Sequence, residues 1–253
     1  MSASLRSSLA ALACAFVWAS PAQAVVIAGF EADLDGFTTT GDVYRVDTGF
    51  DASLPEGNWA LFLSTFPNGA GLLGPLTGTP IDQTATPVVT ASVLEAFFGL
   101  AAGALNAPLS PSGNDAIEGS GAQLDFTIAS IQTLRFEFSL LTNETDAWAP
   151  DFRDYFFTTL TGQPITVQGD VFASPLVASA TIFDRETGWG VVEWLDLPAG
   201  TYTLGVGLVD VEDSDLGTAV LFDNIQLIPE PRAALLTSLG LAGMWLLGRP
   251  RPR

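Results

Sequence analysis

Gln132-Thr133-Leu134-Arg135-Phe136-Glu137-Phe138-Ser139-Leu140-Leu141 sets four large apolar side chains, Leu134, Phe136, Phe138 and Leu140, against Arg135, Glu137 and Ser139. A period of two puts the first set on one face and the second on the other, the pattern of a strand with one face in a core and one toward water. Thr201 to Val211 repeats it, with Tyr202, Leu204, Val206 and Leu208 on a single face, after the tight turn Pro198-Ala199-Gly200. These two stretches predict an antiparallel β-protein.

Working outward, further strands are predicted at Val25–Phe30, Val43–Val46, Asn58–Phe66, Ala122–Ala129, Asp154–Thr161, Pro164–Phe172, Val177–Phe183, Gly188–Leu195 and Thr218–Ile228. Each is short, rich in β-branched and aromatic residues, and bounded by Gly, Pro, Asn, Asp or Ser. Many short strands with turns every ten or so residues point to an all-β antiparallel β-sandwich of jelly-roll type over residues 25–228. Asp33 to Gly41 reads as polar turn. The interval 67–121 is rich in Gly and Pro and reads as an insertion between strands. It carries one short helix, Val93 to Leu105, introduced by a capping-box pattern at Ser92 and Glu95, and a flexible loop from Leu109 to Gly121.

Charge narrows the function classes. The 253-residue chain has no lysine and no histidine. Between Val25 and Ile228, 27 acids face only Arg45, Arg135, Arg153 and Arg185, a formal charge of −23. Such a surface repels nucleic acid and anionic lipid, so no nucleic-acid partner is expected. Without histidine, Ser-His-Asp and Cys-His catalysis and the usual zinc sites are excluded. The single cysteine, Cys14, allows no internal disulfide. Any resident metal would be a hard cation on oxygen ligands, calcium first among them.

The two ends have other compositions. Met1 to Ala24 reads as a secretory signal peptide, with Arg6 in the n-region, an apolar run from Leu9 to Trp18, and cleavage after Ala24 at Ala22-Gln23-Ala24. A lipoprotein acylated at Cys14 is the alternative, but Ala11-Leu12-Ala13 matches a lipobox poorly. At the other end Pro229-Glu230-Pro231 precedes an apolar segment, Ala233 to Leu247, and a tail with Arg249, Arg251 and Arg253. At about 1.5 Å per residue a helix of that length covers only part of a roughly 30 Å hydrocarbon core. Snorkelling arginines and local thinning make it a short transmembrane helix with the arginines inside and residues 25–228 outside.

That order resembles the C-terminal sorting signal of the PEP-CTERM proteins of Gram-negative bacteria. The resemblance implies a substrate of an exosortase, a membrane transpeptidase, with Pro229, Glu230 and Pro231 as the motif, the inner membrane as transient anchor, and the cell surface or extracellular matrix as destination. The rival is a plain membrane anchor with an incidental proline pair. Leu141-Thr142-Asn143-Glu144, Asp154-Tyr155-Phe156-Phe157, Ala199–Leu204 and Phe222-Asp223-Asn224-Ile225 look like segments of PEP-CTERM ectodomains, which are similar to lectin-like jelly rolls. This looser match spans Leu134 to Leu227 and implies the fold and, more distantly, sugar binding.

The expected role is therefore non-enzymatic, in the envelope or exopolysaccharide matrix. The alternative is a calcium-assisted carbohydrate-binding module. Jelly-roll modules of that kind often join a Glu near the first strand to an Asp near the last through a structural calcium, and Glu31 and Asp223 occupy those places here. Val209–Asp215 and Asn143–Asp154 are acidic loops without EF-hand spacing, open to either a solvated or a metal-binding reading. Trp148, on the second loop, is the expected exposed platform for a sugar ring, while Trp59, Trp189 and Trp194 lie on predicted strands and are expected in the core. Nothing in the sequence pairs two carboxylates across a cleft in the manner of a glycosidase.

Overall fold

The structure, a computed structural model, describes residues 23–66, 82–83, 87–109, 114–144, 152–172, 175–212 and 216–230. The chain divides into two units, Ala24–Ile228 and the two ends, Met1–Gln23 with Pro229–Arg253. Nearly all of the second unit, including Pro231, the Ala233–Leu247 segment and Arg249, Arg251 and Arg253, lies outside the described residues, as does Trp148. Among the described residues no helix is long and apolar enough to cross a membrane.

The Ala24–Ile228 unit is built on two antiparallel sheets. The first joins β1 (Val25–Ala28), β3 (Asp42–Asp47), β4 (Trp59–Ser64), β5 (Asp82–Gln83), β8 (Gln132–Thr142), β11 (Val177–Ala178), β12 (Arg185–Glu186), β13 (Gly190–Leu197) and β15 (Thr218–Pro229). Its order is β11-β12-β8-β15-β4-β3-β5, with β1 beside β15 and β13 beside β8. The second joins β2 (Thr38–Thr40), β6 (Val89–Thr90), β7 (Ala116–Ile128), β9 (Tyr155–Leu160), β10 (Thr166–Asp170) and β14 (Gly200–Val211) in the order β10-β9-β14-β7-β2, with β6 also on β7.

The alternating stretches define the interface between the sheets. Leu134, Phe136, Phe138 and Leu140 of β8 share one core with Leu204, Val206 and Leu208 of β14. Phe156 of β9 meets Phe138 at 5.0 Å and Phe222 of β15 at 6.4 Å, so aromatic rings bridge the sheets face to face. The sequence-based expectation of an antiparallel β-sandwich holds at this level. On the outer face of β8, Arg135 pairs with Glu137 at 2.8 Å and lies 3.7 Å from Glu193 of β13, its partner in register.

Both sheets are also covered on their outer sides, which explains why several strands read as continuous apolar runs instead of alternating. Tyr44, Phe50, Phe62, Phe66, Phe183 and Leu221 form a second cluster on the first sheet. On the second sheet α1 (Ala91–Phe98) seats Leu94 with Tyr155, Phe157, Val209 and Val211. Gly121, Gly205 and Gly207 make that seat: a Cβ on Gly121 would lie 2.6 Å, and one on Gly205 2.7 Å, from the Phe98 ring.

Several expectations need correction. The helix spans Ala91–Phe98 and stops at Gly99 in the left-handed conformation, short of Leu105. Its N-cap is Thr90 without a side-chain cap bond, and Glu95 turns inward to accept from Leu105 N–H at 3.0 Å. The capping box therefore does not form, because a buried donor outbids an exposed helix end for the carboxylate. Ala116 to Gly121 is strand, not flexible loop, since β14 pairs along its whole length. The interval 67–121 thus contributes β5, β6, α1 and the first half of β7 to the unit. Thr38–Thr40, inside the expected polar turn, pairs with Gln123–Gly121. Val177–Phe183 yields only the two-residue β11, because Ser179 and Thr181 bond to one another and Ser179 Oγ donates to Glu186.

Candidate functional site

The chain crosses between the sheets twice near its start, from β1 to β2 and back to β3. The first crossing, residues 29–37, is a turn held by a carboxylate. Asp35 Oδ2 accepts from Gly29 N–H at 2.9 Å and Phe30 N–H at 2.5 Å, and Asp35 N–H donates to Asp33 Oδ1 at 2.7 Å. Phe30 and Asp35 both take positive φ, 60° and 48°. Such strain persists in non-glycine residues only when the surroundings enforce it. Here the enforcers are the Asp35 bonds, the fully buried Phe30 ring against Phe37 at 5.6 Å, and Arg45 Nη1, which donates to Phe30 O at 2.7 Å.

The turn delivers Glu31 to the chain entering β4. Glu31 Oε1 accepts from Asn58 N–H at 2.7 Å and Trp59 N–H at 3.0 Å. Asp223, fully buried on β15, accepts from Glu56 N–H at 3.1 Å and Asn224 N–H at 2.6 Å. Glu31 and Asp223 therefore both accept from one segment, Glu56–Trp59. Glu56, in the loop between β3 and β4, is the member that the sequence pattern does not single out. Its Oε2 is shut off from solvent without a hydrogen-bond donor. Gly29 and Gly57 leave the room that lets Glu56 and Glu31 lie against the backbone, since a Cβ on either would collide with a carboxylate.

Electrostatics mark the group as one cluster. Asp223 is raised to about 7, chiefly by burial, with its two backbone bonds pulling it down and the charges of Glu56 and Glu31 pushing it up. Glu56 is raised by burial and then by Glu31 and Asp35. An all-oxygen donor set with a buried, donorless carboxylate oxygen fits the chemistry of a hard cation. Glu31, Glu56 and Asp223 supply the oxygens at this segment, with Asp35 adding charge nearby. Among the described residues no group of three or more acidic side chains is gathered closely enough to hold a metal ion as it stands.

Beside the cluster lies a cleft of about 380 Å³, lined by Ile27, Asp35, Gly36, Thr38 and the β7 stretch Gln123–Phe126. Asp35 belongs to both the cleft wall and the acidic cluster.

The remaining expected sites are scattered. Ala24 is exposed ahead of β1, Pro229 ends β15 and Glu230 is half-buried. Trp59 lies under the Arg45 guanidinium at 4.5 Å, Trp189 donates to Ser53 Oγ at 3.2 Å, and Trp194 packs on Phe136 at 5.6 Å. All three are partly buried against the apolar clusters, Trp59 on β4 and Trp194 on β13 as expected, but Trp189 lies on the link between β12 and β13 and not on a strand. Of the two acidic loops, the described parts serve structure: Asp154 Oδ1 accepts from Val211 N–H at 3.0 Å, and Glu212 Oε1 from Asp115 N–H at 2.7 Å.

No protein-family profile and no curated protein matches the chain. Solved structures that are similar include TmCBM61 in complex with β-1,4-galactotriose (TM-score 0.37, 9% identity, 80% of this chain and 91% of that one). They also include the K1 cleaved adhesin domain of Lys-gingipain from Porphyromonas gingivalis W83 (0.38, 12%, 82% and 98%). A third is TmCBM27, a carbohydrate-binding module studied for specific mannan recognition (0.38, 13%, 82% and 96%). At this degree of likeness nothing passes from their ligands to this chain.

Proposed function

We propose that the chain is an exported protein of the cell surface or extracellular matrix of a Gram-negative bacterium, sorted by an exosortase-type membrane transpeptidase through residues 229–253. The single observation that supports this reading is the ordered Pro229-Glu230-Pro231 triplet, apolar segment and arginine tail after a signal-peptide-like start. The Ala24–Ile228 unit then acts without catalysis, as a highly acidic structural or interaction module. The test is the intact mass of the mature protein from envelope and matrix fractions of its host. A C-terminus near Pro229–Arg232 supports sorting. A chain still ending at Arg253 in the inner membrane makes the segment a plain anchor.

A second reading, calcium-assisted carbohydrate binding, is favoured by the convergence of Glu31, Glu56 and Asp223 on one segment. Bound calcium would supply the positive charge that four clustered carboxylates lack. The chain's own part is to present the oxygens: Glu31 and Asp223 are pre-oriented by backbone N–H groups, and the Asp35 turn fixes the approach of Glu31. A polysaccharide pull-down with and without chelator separates the readings, because a purely structural module retains nothing in either condition.

A further inference from the structure

The cleft beside the acidic cluster sits where one sheet runs out of partners. β14 pairs with β7 along its full length, but on the opposite edge β6 takes Gly119 and Glu118 and β2 takes only Gln123 to Gly121. Among the described residues no strand continues along that edge from Leu124 to Ile128, and the cleft opens against the start of this stretch. Because it crosses a strand edge, residues of both sheet faces reach it. Leu124 and Phe126 belong to the core and, with Ile27, give an apolar floor. Phe126 is braced by Tyr202, whose ring stacks on it at 5.7 Å and whose hydroxyl donates to Pro198 O at 2.9 Å.

The rim is polar and one-signed. Asp35, Asp125, Gln123 and Thr38 surround the floor, and none of the residues lining the cleft is basic. Asp125 is positioned by Thr203, which donates to its Oδ1 at 2.6 Å, and Asp35 by the two N–H groups of its turn. An apolar floor with a few convergent polar groups, in a volume within the roughly 300–1,000 Å³ of small-molecule sites, has the make-up of a ligand site. Carboxylate acceptors suit hydroxyl donors, and O–H···O⁻ bonds are the stronger kind. A pyranose ring offers both an apolar C–H face and a fringe of hydroxyls. A negatively charged sugar would bring its carboxylate against Asp35 and Asp125 in a domain carrying −23.

Resting on the carbohydrate-binding reading, we infer that this cleft is the subsite for an uncharged saccharide segment, with Asp125, Gln123 and Thr38 as hydroxyl partners and uronates excluded by charge. The Asp35 turn, which forms one wall, is also the piece that carries Glu31 into the acidic cluster.

The experiment uses the full chain in detergent micelles, titrated with neutral gluco-, manno- and galacto-oligosaccharides and with oligogalacturonate. Asp125→Ala and Thr38→Trp alter exposed cleft positions, Val191→Ser on the other sheet serves as control, and thermal melting checks that each variant folds. A neutral oligosaccharide is expected to bind wild type and Val191→Ser equally, at least tenfold more weakly to Asp125→Ala, and not at all to Thr38→Trp. Equal binding by all four proteins would overturn the cleft assignment while leaving carbohydrate binding in place. Absence of binding to wild type for every sugar would remove the carbohydrate reading, and this inference with it. Oligogalacturonate bound as tightly as the neutral sugars would overturn the charge selection.

Discussion

Glu95 on the helix side of the second sheet and Glu56 on the first-turn side both turn carboxylate oxygen away from solvent, yet their surroundings differ in kind. Glu95 is 6% exposed, its Oε1 receives Leu105 N–H, and Tyr155 ties the same residue down by donating to Leu105 O at 2.5 Å. The neighbourhood is otherwise apolar: Leu94, Phe157, Val209 and Val211, with Phe98 pressed onto glycines. Glu56 Oε2 has no such donor, and its charged neighbours are Glu31, Asp35 and Asp223. A buried carboxylate that meets an N–H is part of the packing. Several that meet each other at a strained turn leave free energy to be recovered by a proton or a cation.

The largest test of this contrast lies on the helix side. Leu94→Ala deletes a fully buried side chain beneath α1 and is expected to cost about 3 kcal/mol in urea unfolding. Because the cluster is built from other elements, cation and sugar affinities of the folded variant should be unchanged; a parallel loss of both would join the two regions into one.

Next in size is the pH response of the cluster. Asp223 is raised to about 7 from an ordinary 3.8, and Asp42, Glu56 and Glu118 are raised in the same direction, burial being the first cause in each. A carboxyl raised in the folded state takes up a proton on folding between those two values. Stability therefore grows as pH falls through 7, is fully gained below 3.8, and is lost again above 7. Between pH 8 and pH 5.5 the gain from Asp223 is expected to be on the order of 2 kcal/mol, seen as a rising Tm on acidification. Glu56→Gln should flatten that rise by removing a like charge beside Asp223. A Tm that falls over the same range would remove the contrast with Glu95.

On the calcium-assisted reading, calcium should mimic the proton. At pH 8, calcium at 100 times its Kd is expected to stabilise by about 2.7 kcal/mol or less, and by much less at pH 5.5, where protons compete for the same oxygens. Glu31→Gln should cancel most of this shift in calorimetry, while Glu95→Gln should leave it intact.

The smallest effect is expected at the turn itself. Asp35→Ala withdraws the acceptor from Gly29 and Phe30 N–H and should cost about 1 kcal/mol in stability, with faster amide exchange at those two residues. Unchanged exchange there would mean that Phe30 packing alone holds the turn.

The alternation of Leu134, Phe136, Phe138 and Leu140, and of Leu204, Val206 and Leu208, determined by itself that the chain is antiparallel β and which side chains meet between the sheets. A period of two is local information, carried by each strand regardless of its partners. Composition likewise settled the chemistry on offer: carboxylates, no histidine, no lysine. What only the tertiary structure decided depends on residues far apart in the chain. Glu118-Gly119-Ser120-Gly121 reads as loop because glycine disfavours strands locally, but α1 and β14 need those glycines for close approach. Thr38–Thr40 is too short to announce itself and becomes strand by pairing with β7, 83 residues on. Glu31 and Asp223 could be named from their places near the first and last strands. That Glu56 joins them follows from the pairing of β15 with both β1 and β4, and the cleft follows from β2 ending where β7 continues, because a shared edge between strands is a property of the sheet and not of any strand within it.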